Sequence, residues 1–181
     1  FKNARLAYFR GEFEWAQTQL EVLKAATTQL ISNNAIKLSL FIQDNMGMDS
    51  TEQPMVLYSQ AELLIFQNKF EEAQEDLEAI SILYPNHTLE DEILFALGKM
   101  SEKQRKWQEA IAFYSKIVEN HSQDILADNA LYRLGDIYQF KLKNTAKANE
   151  YYEKLILDYN SSMFVVEARK RYREIKNNVT P

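Results

Sequence analysis

The chain contains no cysteine, which removes disulfide scaffolds, zinc ribbons and thiol catalysis without assigning a compartment. Glycine and proline are scarce, four and three in 181 residues, where average usage gives roughly 12% for the two together. An all-β sandwich or barrel draws on both for its many turns, so the shortage argues against one. No apolar run approaches the ~18 residues that would span a bilayer, and no signal peptide is visible. Basic side chains are outnumbered, 21 Lys and Arg against 26 Asp and Glu for a net charge of −5, so wholesale nucleic-acid binding is not expected. What remains is a globular composition, 46% hydrophobic and 26% charged, over a length of about one to one and a half domains. It reads as a soluble helical protein.

Three segments superpose without gaps: Leu57-Tyr58-Ser59-Gln60-Ala61, Leu94-Phe95-Ala96-Leu97-Gly98 and Leu131-Tyr132-Arg133-Leu134-Gly135, each 37 residues after the last. An aromatic follows the small residue, Phe70 and then Trp107, and an alanine follows that, Ala73 and Ala110. The third copy reaches Ala148 instead, one residue late, so an insertion is expected around Lys143-Asn144-Thr145. A fourth copy opens the chain at Ala4 and Gly11-Glu12-Phe13-Glu14-Trp15-Ala16. Recurrence at a fixed period is the sequence signature of stacked supersecondary units.

Each unit reads as two helices. Leu94, Leu97 and Met100 keep helical spacing; a polar break follows, Gln67-Asn68-Lys69 or Glu102-Lys103-Gln104-Arg105-Lys106. The second helix carries Phe70, Ala73, Leu77, Ile80 or Trp107, Ala110, Tyr114, Ile117. Tyr84-Pro85-Asn86-His87, Asn120-His121-Ser122 and Tyr159-Asn160-Ser161-Ser162 close the units, since proline stops a helix and Asn or Ser can cap the next. Ala61, Gly98 and Gly135 with Ala73, Ala110 and Ala148 are the small residues that let two helices approach closely.

This pattern resembles the tetratricopeptide repeat (TPR): a large residue, Leu-Gly, an aromatic, then Ala and a late Pro. The match covers residues 1–160 discontinuously, strongest in Leu134-Gly135…Tyr138 and Phe70…Ala73…Leu77…Ile80…Pro85, with Ser101 and Ser122 departing from it. The resemblance implies an all-α fold, a TPR-like right-handed helical solenoid of antiparallel helix pairs with about ten helices. The expected division is 1–53 for a partial repeat plus an extra helix, 54–160 for three repeats, and 161–181 for a capping helix and frayed tail. Asp124–Tyr132, Ala148–Ile156 and Ser162…Lys170 are similar in style to periplasmic and outer-membrane TPR proteins of Gram-negative bacteria. Among these are Tol–Pal-associated proteins and the lipoprotein of the β-barrel assembly machinery. Over most of its length the chain is similar to the C-terminal part of cell-envelope TPR proteins of the Bacteroidetes. That resemblance implies a periplasmic or cell-envelope location and an export signal upstream.

The period fails between Ala16 and Ala73, where Asn33–Ile42 is amphipathic behind an Asn cap and Gly47-Met48-Asp49-Ser50-Thr51 reads as a loop. One extra helix is expected at 33–46 and a loop at 47–53. It is read as an ordinary insertion, with a hinge or groove plug as the other reading. Phe1 aligns with the middle of an inner helix, so the chain is expected to begin inside a repeat. At the far end Phe164, Val165, Ala168, Tyr172 and Ile175 form an apolar stripe opposite Arg169, Lys170, Arg171, Arg173 and Lys176. That suits a helix covering the last repeat, or a basic patch for an anionic partner; Asn177 to Pro181 is expected to fray.

Chemistry is sparse. His87 and His121 are read as solvated linker residues, because a metal site there would have only carboxylates to help. The acidic run Glu71, Glu72, Glu75, Asp76, Glu78, Glu90, Asp91, Glu92 is read as a solvated face, with a docking patch for a basic partner as the other reading. No phosphate loop, G-x-S-x-G or H-E-x-x-H occurs, so no enzyme, cofactor or metal is expected. The remaining surface is the concave groove lined by inner helices. Tyr58, Phe95 and Tyr132 lie in register, followed by Glu62, Lys99 and Asp136, then Phe66, Lys103 and Phe140. Tyr58, Glu62, Phe66, Phe95, Lys99, Tyr132, Asp136 and Phe140 are the candidate partner-binding residues for a peptide or helix. Packing between repeats is the competing role for the aromatics. A structural spacer or self-assembling scaffold, pairing with another copy or with upstream repeats, is the alternative function.

Overall fold

A computed structural model describes residues 1–26, 28–46 and 51–179. They form ten helices and no strand, in two compact units, Phe1–Glu90 and Asp91–Pro181. The all-α expectation holds, and neighbouring helices are in contact. In the first unit the first helix touches the second, the second the third and the fourth the fifth; in the second unit the seventh touches the eighth, the eighth the ninth and the ninth the tenth.

The first unit contains α1 (Lys2–Phe9), α2 (Phe13–Ala26), α3 (Gln29–Met46), α4 (Gln53–Phe66) and α5 (Phe70–Leu83). Helix α1 pairs with α2, α4 pairs with α5, and α1 also lies against α4. The extra helix is real but starts earlier than the sequence suggested. Asn33 and Asn34 lie exposed inside α3 rather than capping it, because the helix enters from Gln29 and Ser32 bonds back to the Lys24 carbonyl. It packs on α2, where the buried Ser39 hydroxyl donates to Gln17 Oε1 at 2.7 Å and the Gln17 amide donates to the Ser39 carbonyl at 2.9 Å. Phe41 of α3 lies near both Tyr8 of α1 and Tyr58 of α4, with ring centroids 6.1 and 5.4 Å away. Of the expected loop, 47–50 lie outside the described residues; Thr51 Oγ1 accepts from the Gln53 N–H. Pro54 fits the first turn of α4, where its missing N–H has no partner to lose.

The second unit contains α6 (Glu90–Lys103), α7 (Trp107–Asn120), α8 (Ala127–Asp136), a π turn continuing it (Ile137–Lys141), α9 (Thr145–Asp158) and α10 (Val165–Val179). Its core is Ala110, Tyr114, Ile117, Leu131, Leu134, Ala148, Tyr152, Leu155, Ala168 and Ile175, among others. The expected break at 102–106 is shorter, since Glu102 and Lys103 still belong to α6. The single inserted residue lies earlier than 143–145. It widens the last turn of α8 into the π turn, whose signature is the Leu142 N–H bonded to the Ile137 carbonyl at 3.0 Å. Absorbing the residue there keeps the α8–α9 pairing in register.

The apolar stripe of α10 packs as expected, with Val165, Ala168 and Ile175 buried and Phe164 and Tyr172 against the core. The tail expected to fray from Asn177 is helical through Val179. The histidines are not simply solvated: both are half-buried. His87 Nδ1 accepts the Leu89 N–H at 3.1 Å, and His121 Nδ1 lies 3.0 Å from Asp124 Oδ2. Each ring pins the turn that follows an outer helix.

Candidate functional site

The eight candidate residues divide between the units: Tyr58, Glu62 and Phe66 on α4, and Phe95, Lys99, Tyr132, Asp136 and Phe140 on α6, α8 and the π turn. In the first unit Tyr58 is only 6% exposed, its ring against Phe41. Burial makes it part of the helix packing, the competing role the sequence offered for these aromatics. Glu62 accepts the buried Tyr8 hydroxyl at 2.7 Å, and burial together with that carboxylate raises the Tyr8 phenol well above its ordinary range. Phe66 is 62% exposed. Arg5 stands over its ring and over that of Phe9, at 5.2 and 5.0 Å, a cation between two π faces.

In the second unit the same ring pairing recurs in successive repeats. Phe95 packs on Tyr114 at 5.4 Å and Tyr132 on Tyr152 at 6.3 Å. Tyr132 is also stacked at 4.7 Å on Phe164, from the turn before α10. Phe95 and Tyr132 each keep part of the ring accessible. Lys99 is exposed, with its ammonium 5.9 Å from the Phe95 ring. Phe140 is 43% exposed, and the Arg171 guanidinium lies 4.6 Å from its ring.

Between these rings runs a line of alternating charge that the candidate set missed except for Asp136. Glu102 of α6 holds the Arg133 guanidinium of α8 through two bonds, the Nε one at 2.8 Å. Arg133 reaches Asp136 at 3.8 Å. Arg171 of α10 lies 3.8 Å from Asp136 and donates to Glu167 at 3.0 Å. Below the line two buried tyrosines are tied to it. The Tyr114 hydroxyl donates to Glu102 at 2.7 Å; that of Tyr152 donates to Asp136 at 3.0 Å and lies 2.9 Å from the Gln139 side-chain amide. Burial, then the neighbouring carboxylate, raises both phenols. The Glu102 bond raises the Arg133 guanidinium against its burial. For Arg171 burial pulls downward, and Asp136 with the nearby tyrosines outweighs it. Arg171 therefore does not join the solvated face of α10 where its sequence neighbours suggested it belonged; it turns toward α8. The period held the clue: Arg133 and Arg171 have the same spacing as the buried Ala130 and Ala168.

The line fixes side-chain directions across three helices and leaves cation, carboxylate and ring surface on one face. Among the described residues no group of three or more His, Cys, Asp and Glu is placed to hold a metal ion, and no helix is long and apolar enough to cross a membrane. Residues 92–124 and 129–162, the α6–α7 and α8–α9 pairs, match the tetratricopeptide repeat family. That supports a TPR protein. TPR repeats generally mediate protein–protein interaction and are generally non-catalytic. No curated protein matches the chain.

Proposed function

We propose that the chain is a non-catalytic interaction module that holds an extended peptide or a helix of a partner protein on the face formed by α6, α8 and α10. The carrying observation is the line Glu102–Arg133–Asp136–Arg171 set beside the part-exposed rings of Phe95, Tyr132 and Phe140. Charges already held in place lose little freedom on binding, and they select orientation more than they add affinity. The rings supply apolar area at low entropic cost. Lys99 and Phe140 meet the partner directly; Asp136 orients Arg171; in the first unit, Phe66 is exposed beside Arg5, while Tyr58 and Glu62 are engaged in helix packing. A cell-envelope location belongs to this reading and rests on the resemblance of the C-terminal third.

The test is affinity capture with immobilised wild type and with the double variant Lys99→Glu/Phe140→Ala, after helicity and the urea transition are shown to be unchanged. Both side chains are accessible, so the variant should fold and lose the captured partner. Equal capture by the two proteins would take this face out of consideration.

A further inference from the structure

The outer face of α5 and the solvent face of α10 are strongly charged and of opposite sign, and they match. On α5, Glu71, Glu75, Glu78 and Ile82 form one exposed stripe with steps of four, three and four residues, and the helix contains no Lys or Arg. On α10, Val166, Lys170, Arg173 and Lys176 form another, with steps of four, three and three. Laid antiparallel, the stripes bring Ile82 to Val166, Glu78 to Lys170, Glu75 to Arg173 and Glu71 to Lys176. The apolar ends coincide as well: Ile82 is 78% exposed and Val166 79%. Arg169 flanks the basic stripe, and Glu174 is the one exposed acid on that helix.

We infer that these faces join one copy of the chain to the next, α5 of one molecule lying antiparallel on α10 of another. The contact is heterologous: two different patches meet, so after one contact one molecule keeps its α10 face free and the other its α5 face, and the association is head-to-tail. It differs from the pairing through α3 or the N-terminal face that the sequence suggested, and it does not rest on the groove reading. Exposed ion pairs are individually weak and screened by salt, so the association is weak and salt-labile.

Sedimentation equilibrium tests it, at about 10 mM and about 1 M salt, where the Debye length falls from ~30 Å to ~3 Å. At low salt the mass should climb above the 21.2 kDa monomer with concentration, and at high salt it should return. Glu71→Lys/Glu75→Lys/Glu78→Lys and Lys170→Glu/Arg173→Glu/Lys176→Glu should each weaken association by about tenfold or more. Mixed together, the two reversed proteins should associate again, because the basic α10 stripe left intact in the first meets the acidic α5 stripe left intact in the second, and the new basic α5 stripe meets the new acidic α10 stripe. Circular dichroism checks that each variant folds. A monomer at every concentration in low salt overturns the inference. So does association that survives either reversal, or a mixture that stays monomeric.

Discussion

Gly98 of α6 lies so close to Tyr114 of α7 that a Cβ placed on it would stand 2.6 Å from the ring's Cε1. The next repeat builds the same contact from Gly135 and Tyr152. At the corresponding positions of the first unit stand Ala61 with Leu77 and Ala4 with Leu20, all fully buried. A methyl group faces an aliphatic side chain, and a hydrogen faces a ring. Size is traded across each hairpin, and the ring hydroxyls then reach the carboxylates of the charged line.

Gly98→Ala should therefore destabilise the chain. Alanine is the better helix former by about 1 kcal/mol, but overpacking a full core costs about 1–3 kcal/mol, leaving a net loss of up to about 2 kcal/mol in urea unfolding. In a Tyr114→Leu background the methyl has room, and the same substitution should become neutral or stabilising by up to about 1 kcal/mol. An equal cost in both backgrounds would mean that the ring is not what excludes the methyl.

Alkaline pH should unfold the protein. Tyr8, Tyr114 and Tyr152 are buried and donate to Glu62, Glu102 and Asp136, and all three phenols are raised, burial being the largest cause and the carboxylates the next. The folded chain holds these protons above pH ~10 while the unfolded chain releases them, so stability is unaffected below ~10 and falls above it. Each tyrosine contributes up to about 1.4 kcal/mol per pH unit. The tyrosinate absorbance of these residues should appear together with the loss of helicity, and Tyr114→Phe should make the decline shallower. Tyrosinate forming on all ten tyrosines with helicity intact would contradict it.

The helix pairs were legible because periodicity reports burial: Ala73, Leu77, Ala110, Tyr114 and Ile117 repeat in sequence because they repeat in space. The extra helix could be seen but not its start, since the sequence offers Thr28, directly before Gln29, as well as Asn33 and Asn34 as cap residue types, and its place is set by packing on α2. The inserted residue could be counted but not located, because a π turn has no residue signature. The charged line was hidden for another reason. Glu102, Arg133 and Arg171 look like solvent residues on their own helices, and only the neighbouring helix gives each its partner. Tyr58 shows the converse: an aromatic in register is equally a core residue and an anchor until burial decides.

The turns between paired helices show a regularity that composition concealed. Gly11, Asn68, Arg105 and Lys143 have φ of 75°, 62°, 60° and 56°. Each is followed by a residue whose N–H bonds back to the end of the preceding helix: Glu12 to Ala7, Lys69 to Leu64, Lys106 to Ser101, Asn144 to Tyr138. The last span is one residue longer than the others, as the π turn requires. One of the four is glycine, although the left-handed conformation costs other L-residues about 1–2 kcal/mol and Asn the least. Arg105→Gly and Lys143→Gly should thus relieve strain, partly offset by the entropy glycine adds to the unfolded chain. The expected gain is about 0.5–1 kcal/mol each in the urea midpoint, with less for Asn68→Gly. Arg105→Val should cost stability, since a branched Cβ tolerates that region worst. Gly11→Ala should cost more than its φ alone implies, because the added Cβ would stand 3.3 Å from Val56 Cγ2 of α4. If the glycine variants unfold at lower urea than wild type, the side chains of Arg105 and Lys143 contribute more to these turns than their backbone strain removes.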